Sequence, residues 1–276
     1  MLNSSVSLGR TGVPISLISE FASDKAGKLI LDLLKSNNIS AEHLYLYDGK
    51  SPLSLAFLDE NNDAEYEFYE FFPDERLKVK IPHFSPGDII MFGSLMSVEE
   101  RTRAKLKEIL SSANNTGSLV LYDPNFRRTQ LSRLEFLKPF ICENIAFSDI
   151  VRASDEDMEL IFGCNTSKEA YDIIQKNGCK YLIYTSSSNG AYLETPLFSK
   201  YFPVPELKTV STIGAGDNFN AGIVFTLYSK NISALEDLSE PEWDDMIRNA
   251  IDFASDVCMS TENYISNTFA RELKKI

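Results

Sequence analysis

Short apolar segments alternate with segments of helical periodicity along most of this chain of 276 residues. Apolar residues spaced three and four apart predict helices, and short apolar runs between turn residues predict strands. The predicted strands are 13–18, 88–92, 118–122, 149–151, 181–184, 191–193 and 198–203, and the predicted helices are 24–34, 97–114, 133–144, 155–162, 168–177, 215–229 and 242–259. Because strands that alternate with helices form a mostly parallel central sheet flanked by helices, the pattern predicts a single α/β domain over residues 1–276.

One region departs from this alternation. Between residues 44 and 72 the apolar positions recur at about every second residue, as they do in strands with one buried face. They are Leu53, Leu55 and Phe57, followed by Tyr66, Phe68 and Phe71, with the polar residues 59–63 between the two groups. We expect an antiparallel hairpin or small sheet inserted into the α/β domain at about 44–72.

Composition excludes several classes of function. The chain has 40 Asp and Glu residues against 27 Lys and Arg residues, and its net charge of −13 would repel nucleic acid and anionic membranes. No stretch approaches the roughly 18 apolar residues of a membrane span, and no secretory signal begins the chain, so we expect a cytoplasmic protein. The four cysteines form no CxxC pair and the two histidines are far apart, so no metal site is directly assigned.

The segment 211–222, STIGAGDNFNAG, carries the clearest chemical signal. Gly214, Ala215 and Gly216 come directly before Asp217 and a predicted helix, and the N–H groups at a helix N-terminus suit an anion such as a phosphoryl group. Asp217 could then accept the proton of an attacking hydroxyl group. For an isolated motif, a capped turn without catalytic function is the commoner explanation. A dinucleotide loop is excluded because Phe219 replaces its third glycine, and a Walker loop because no GK[ST] follows.

The segment 122–128, YDPNFRR, follows a predicted strand of the parallel sheet, where ligands bind in such folds. Asp123, Asn125 and Arg127 offer an acceptor, an amide and a guanidinium group that suit a polyhydroxylated substrate or a phosphate. The alternative is a turn at Pro124 with an exposed arginine.

A third candidate is the start of the helix predicted at 155–162. Ser154 is its predicted N-cap, and acidic residues in a first turn interact favourably with the helix dipole. The functional alternative is that Asp157 helps to hold hydrated Mg²⁺, an ion that needs only one or two carboxylates.

In this order, the segments resemble the motifs of the PfkB (ribokinase-like) family of carbohydrate kinases, most closely its fructokinase branch. STIGAGDNFNAG resembles the family's C-terminal signature, YDPNFR its D-x-N-x-R segment, and SDED stands where the family has N-x-x-E. Thr185 and Gly190 match a T-x-G-x-x-G segment, Asn3 matches the asparagine of G-G-x-x-x-N, and Asp24 and Gly27 match G-x-D-x-x-G. The resemblance covers essentially the whole chain.

The resemblance implies a ribokinase-like fold with a small β lid, here 44–72, and the ATP- and Mg²⁺-dependent phosphorylation of a sugar hydroxyl group. Asp217 would be the catalytic base, and Gly214, Ala215 and Gly216 the anion hole. The implied contacts are Thr185, Gly190, Thr212 and Asp157 toward the nucleotide and its metal ion, and Asn3, Asp24, Gly27, Asp123, Asn125 and Arg127 toward the sugar. Family members often dimerise through their lids, so a homodimer through 44–72 is expected.

Four departures from the family pattern qualify this prediction. Ser187 replaces a glycine of the nucleotide segment, Ser154 and Asp157 replace the Asn and Glu of N-x-x-E, and Ser211 replaces an acid, so potassium activation is not predicted. The family's first strand and Gly-Gly hinge would precede Met1, and we expect a start further upstream. A nucleoside kinase of the same family and a catalytically impaired sugar- or nucleotide-binding protein stay open as alternatives.

Overall fold

The protein is described by a computed structural model, which covers residues 1–58 and 64–274. Within these residues the strands are β1 Ile15–Ser16, β2 Ser19–Ala22, β3 Ile39–Ser40, β4 Leu44–Tyr47, β5 Leu53–Leu58, β6 Ala64–Tyr69, β7 Ile89–Gly93, β8 Leu119–Asp123, β9 Ile150–Ser154, β10 Tyr181–Thr185, β11 Ala191–Glu194 and β12 Ser199–Phe202. The helices are α1 Leu2–Thr11, α2 Lys25–Ser36, α3 Glu100–Thr116, α4 Leu134–Ala146, α5 Asp155–Phe162, α6 Ser167–Lys176, α7 Ala215–Ser229, α8 Glu240–Cys258 and α9 Asn267–Leu273.

The chain divides into two compact units. The first unit is Met1–Val13 together with Ile81–Ile276, and the second unit is Pro14–Lys80.

The first unit is built on a six-stranded sheet in the order β12-β11-β10-β9-β8-β7. Neighbouring strands from β7 to β10 are parallel, and β11 and β12 extend the sheet in antiparallel pairs. All five residues of β8 and of β10 are buried, as expected for strands covered on both faces. The predicted α/β class with a mostly parallel central sheet is confirmed.

Helices α7 and α8 pack closely in the first unit because of a glycine on α7. A Cβ atom at Gly222 would lie 2.5 Å from the Cα atom of Ala250, so a larger side chain would force the helices apart. Trp243 of α8 is almost fully buried and its ring lies 5.1 Å from that of Tyr181 on β10. This packing fixes α7, whose first turn carries the predicted anion site.

The second unit contains two parallel strand pairs and one hairpin. β1 pairs with β3 and β2 pairs with β4, while β5 and β6 form the antiparallel hairpin, with Leu53 opposite Tyr69. The hairpin lies within the predicted insert, but Leu44–Tyr47 differs from the expected pattern because it pairs in parallel with β2. The predicted turn at 59–63 and the side chains of Tyr66 and Phe68 lie outside the described residues.

Helix α1 was not predicted, because its buried face has little apolar periodicity. Ser4, Ser5, Ser7 and Gly9 are all buried, so small polar residues take the place of the large apolar ones that mark most helices. Over residues 1–58 and 64–274, no helix combines the length and apolar character that crossing a membrane requires.

Candidate active site

The first turn of α7 is the place where the sequence predicts an anion site. Gly214 precedes Ala215, the first helical residue, with φ of 86°, which side chains rarely adopt, and a Cβ atom there would lie 2.6 Å from the backbone oxygen of Asn263. The N–H groups of Gly216 and Asp217 have no backbone partner within the described part of the chain. Both groups are therefore available to an anion, at a point where the helix dipole adds positive potential.

Asp217 lies on this turn with 18% of its side chain exposed. Its Oδ1 accepts a hydrogen bond from the amino group of Met1 at 2.9 Å, and its Oδ2 accepts one from Asn3 Nδ2 at 2.8 Å. The Ser4 hydroxyl donates to its backbone oxygen at 2.7 Å. Burial acts to raise the pKa of Asp217, but the Met1 amino group, Asn3 and Arg152 outweigh it and lower the pKa below its ordinary value. The carboxylate is therefore ionised at neutral pH.

The carboxyl ends of three neighbouring strands carry polar residues of the first unit. Asp123 ends β8, Ser154 ends β9 and Thr185 ends β10, and the strand register pairs Thr185 with Ser154. Ligands of open α/β sheets bind at this edge. The sheet therefore brings together three positions that stand far apart in the sequence.

Arg152 of β9 connects these strand ends and was not singled out from the sequence. Its Nη1 donates to Asp123 Oδ2 at 3.1 Å, and its Nη2 donates to Thr185 Oγ1 at 2.6 Å. Asn220 of α7, also missed, donates to the same Asp123 oxygen at 2.6 Å. Burial raises the pKa of Asp123, and Arg152 opposes this rise. The sequence did contain one signal that could have identified Arg152. It is a charged residue inside the apolar segment Ile150–Ser154, and a charge that is buried in a strand needs partners.

The predicted substrate segment after β8 forms a tight loop. Asn125 adopts a positive φ of 41°, donates its backbone N–H to Asp123 Oδ1 at 3.0 Å, and donates its side-chain amide to Ser94 Oγ at 2.8 Å. Asp123 is only 2% exposed. Arg127 is exposed, and its guanidinium group has no hydrogen bond or ion pair with the residues that the structure describes. Of the three predicted residues, Arg127 is the one most open to a ligand.

Asp157 holds this loop against the start of α5. Its Oδ1 accepts the backbone N–H of Phe126 at 2.6 Å, and its Oδ2 accepts the backbone N–H and the hydroxyl of Ser154 at 2.9 and 2.7 Å. Ser154 in turn accepts the N–H of Asp157, which completes a capping box, so the N-cap prediction is confirmed. Asp157 is 3% exposed, and its contacts are with protein groups.

The predicted nucleotide residues Gly190 and Thr212 lie on loops. Gly190 has φ of 95°, and a Cβ atom there would lie 2.5 Å from the backbone oxygen of Phe202, so glycine is required. Ser187, which replaces a family glycine, adopts the positive φ of 41° that glycine favours. Thr212 is exposed, and its backbone oxygen accepts the N–H of Ala215 at 3.2 Å. The nucleotide role of these residues stays a prediction.

Asp24 and Gly27 belong to the second unit. Asp24 caps α2 through the backbone N–H of Gly27 at 2.8 Å, and it also accepts the N–H and the hydroxyl of Ser51 at 2.9 and 2.7 Å. The bond from Gly27, followed by those from Ser51, lowers the pKa of Asp24 to about 2. The structure therefore gives Asp24 a capping role, and its role toward a substrate stays a prediction.

Comparison with known proteins gives relatives with two kinds of small-molecule substrate. A fructokinase of Rhizobium leguminosarum is 27% identical over 236 residues, which are 84% of this chain and 72% of the relative. A crystal structure of aminoimidazole riboside kinase from Salmonella enterica, complexed with aminoimidazole riboside and an ATP analogue, has a TM-score of 0.84 at 21% identity, over 99% of this chain and 89% of that one. A fructokinase from Vibrio cholerae with bound fructose, ADP and calcium has a TM-score of 0.83 at 18% identity, with the same coverage.

The fold and these similarities define a class of protein, the phosphotransferases that act on a hydroxyl group of a sugar or nucleoside. The sequence profile described as "pfkB family carbohydrate kinase" matches residues 1–261, which is most of the chain. The protein belongs to the pfkB family of carbohydrate kinases.

Proposed function

We propose that this protein transfers the terminal phosphoryl group of ATP to a hydroxyl group of fructose or a closely related hexose, with Asp217 as general base. The position of Asp217 carries this proposal. Its ionised carboxylate lies on the same helix turn as the two free N–H groups, so a proton acceptor and an anion site are adjacent. A positioned base contributes about 10²–10⁴-fold in rate.

The first turn of α7 fits a phosphate group. Within the described residues the N–H groups of Gly216 and Asp217 are free of backbone partners, and the guanidinium group of Arg152 lies against Gly216. No bulky side chain stands at Gly214, Ala215 or Gly216. Bound ATP would supply a phosphoryl group whose transfer releases ADP. The N–H groups of the turn would stabilise the negative charge on the phosphoryl oxygens, and each such preorganised donor is worth about 3 kcal/mol.

Asn3 and Asp217 would act together on the attacking hydroxyl group. Asn3 fixes the carboxylate by donating to Oδ2, and Oδ1, which accepts a hydrogen bond from the Met1 amino group, would be the oxygen that takes the proton in place of that bond. Since the pKa of Asp217 lies below its ordinary value, the carboxylate needs no prior deprotonation at neutral pH. On the strand side we assign Arg127 to the substrate, with Asn125 and Asp123 shaping its loop.

Asp157 would support the phosphate site indirectly. Both of its oxygens already accept hydrogen bonds from Phe126 and Ser154, so it suits the positioning of a loop better than direct ligation of a metal ion. Mg²⁺ keeps several waters and binds mainly through nucleotide phosphates, and only a water-mediated contact to Asp157 would fit. We assign Thr185, Gly190 and Thr212 to the nucleotide.

A nucleoside is the second candidate substrate, and the similarity to aminoimidazole riboside kinase favours it. Release of ADP should be measured with purified protein, Mg²⁺ and ATP, in the presence of fructose, ribose, 2-keto-3-deoxygluconate, adenosine, inosine or aminoimidazole riboside. We expect the highest kcat/KM with fructose. Activity with a nucleoside alone would overturn the sugar assignment but leave the kinase assignment.

A binding protein without turnover is the alternative from another class, and the departures from the family motifs at Ser154, Ser187 and Ser211 motivate it. Calorimetry would detect the binding of sugar and nucleotide even without catalysis. Binding of both ligands with no ADP formed from any substrate would support this alternative.

We also propose that the β5–β6 hairpin forms a homodimer contact. Leu53, Leu55 and Phe57 alternate along β5 and are each about half exposed, so they form an apolar strip on one face of the hairpin. Exposed contiguous apolar surface of this kind marks an interaction site.

A further inference from the structure

We propose that Arg152 is a positioning residue for phosphoryl transfer, which holds the first turn of α7 and supplies fixed positive charge beneath it. This inference rests on the proposed kinase function. A Cβ atom at Gly216 would lie 3.0 Å from Nη1 and 3.3 Å from Nη2 of Arg152, so the guanidinium group lies against the backbone of the anion-binding turn. The Phe219 ring, one turn further along α7, lies 5.7 Å from the guanidinium carbon.

The hydrogen bonds of Arg152 join this turn to two strand ends. Nη1 is bonded to Asp123 of β8 and Nη2 to Thr185 of β10, while Arg152 itself belongs to β9. One planar guanidinium group therefore fixes three neighbouring strands and the start of α7 relative to each other. A lysine could supply the charge but not this fork of donors.

The third nitrogen of the guanidinium group, Nε, makes no hydrogen bond with the described residues. Arg152 is 9% exposed, and its buried Nε has no hydrogen-bond partner within the described part of the chain. A buried donor without a partner costs free energy, so such a group calls for an explanation. The charge of a buried cation below an anion site is most effective because little water screens it.

The surrounding charges explain why a fixed cation is needed. Asp123, Asp157 and Asp217 are carboxylates near these strand ends, and they would repel a nucleotide triphosphate. The charge of Arg152 acts on both Asp123 and Asp217.

The test compares Arg152→Met, Arg152→Lys and the control Arg103→Met. Arg103 is also a buried arginine with an unpartnered Nε, but it joins Ser97 and Asn144 on the side of α3 and α4. Calorimetry should measure affinity for ADP and for a non-hydrolysable ATP analogue, and kinetics should measure kcat and KM on the folded fraction. Both methionine variants should lose stability, so stability alone does not separate the two sites.

We expect Arg152→Met to weaken binding of the ATP analogue at least tenfold and binding of ADP less than threefold, and to lower kcat about 10²-fold with little change in sugar KM. Arg152→Lys should keep the preference for the ATP analogue while kcat falls about tenfold, and this result decides the matter if Arg152→Met does not fold. Arg103→Met should keep both the preference for the ATP analogue over ADP and the kcat of the unmodified protein.

The inference would be overturned if Arg152→Met kept both the preference for the ATP analogue over ADP and the kcat of the unmodified protein. It would also be overturned if Arg103→Met lost as much affinity for the ATP analogue and as much kcat as Arg152→Met, or if Arg152→Lys kept the kcat of the unmodified protein. If the unmodified protein releases no ADP with any substrate, the proposed function fails instead, and the calorimetric comparison still decides the role of Arg152.

Discussion

Substitution of Gly214 by alanine tests the geometry of the proposed anion site, because two separate costs act at this residue. The first is backbone strain, since Gly214 has φ of 86° and an L-residue there costs about 1–2 kcal/mol. The second is a collision, because the new Cβ atom would lie 2.6 Å from the backbone oxygen of Asn263, where ordinary contact begins at 3.4 Å. The difference, 3.4 − 2.6 = 0.8 Å, must be absorbed by movement of the turn.

The oxygen of Asn263 cannot easily give way, because it accepts a hydrogen bond from Asn218 Nδ2 at 2.9 Å. Overpacking of this kind costs about 1–3 kcal/mol, so Gly214→Ala should destabilise the protein by about 2–5 kcal/mol in total. A displacement of about 1 Å at groups that position a reaction lowers rates by about 10²-fold, so we expect a fall of that size in kcat if the N–H groups of this turn hold the phosphoryl group.

Gly117→Ala is the matched control for this substitution. Gly117 has a similar φ of 75° at the end of α3, but a Cβ atom there would meet nothing within 4 Å. It should therefore cost only the strain, about 1–2 kcal/mol, and leave kcat unchanged. Urea unfolding measures the loss of stability, and initial rates of ADP release on folded protein measure kcat. Equal losses of stability and equal kcat in the two variants would refute the reasoning.

Three further predictions concern the second unit. Glu20→Gln leaves the buried cation of Arg76 unpaired and should cost on the order of 3 kcal/mol in urea unfolding, whereas an unchanged midpoint would contradict the account. Asp24 has a pKa of about 2 in the folded protein, below its value of about 3.9 in the unfolded chain. Its contribution to the free energy of unfolding is therefore complete above about pH 4 and is lost as the pH falls toward 2. The stability difference between the unmodified protein and Asp24→Asn should vanish over that range, and a constant difference would refute this. Phe57→Glu should yield a monomer in sedimentation velocity, while the control Leu29→Glu, at an exposed residue of α2, should not; a dimer in both variants would refute the hairpin contact.

Local sequence signals predicted the helices and strands of the first unit well. Helix α5 was predicted with its observed ends because both are encoded locally, by the capping box at Ser154 and by Gly163 with φ of 73° at the C-terminal end. The amphipathic face of α6 and the short apolar runs of β8 and β10 gave equally direct signals. The motifs and their order along the chain were sufficient to indicate the family.

Features that depend on distant contacts could not be predicted in this way. Helix α1 is recognisable only through its packing against α7. The hydroxyl group of Ser4 donates a hydrogen bond to the backbone oxygen of Asp217, and that of Ser7 donates one to the side chain of Asn218. The proposed role of Arg152 depends on three strand ends and a helix that lie far apart in the sequence. Asp123 likewise offers a carboxylate in the sequence, but the fold directs it toward Arg152 and Asn220.

The rate of ADP release by Asp217→Asn with the best substrate tests the central claim most directly. Asparagine keeps the size of the side chain but cannot accept the proton, so we predict that kcat falls at least about 10²-fold while nucleotide affinity changes less than threefold. Nucleotide affinity measured by calorimetry on the same preparation confirms that the variant is folded. A kcat equal to that of the unmodified protein would remove Asp217 from the mechanism and contradict the proposed phosphoryl-transfer site.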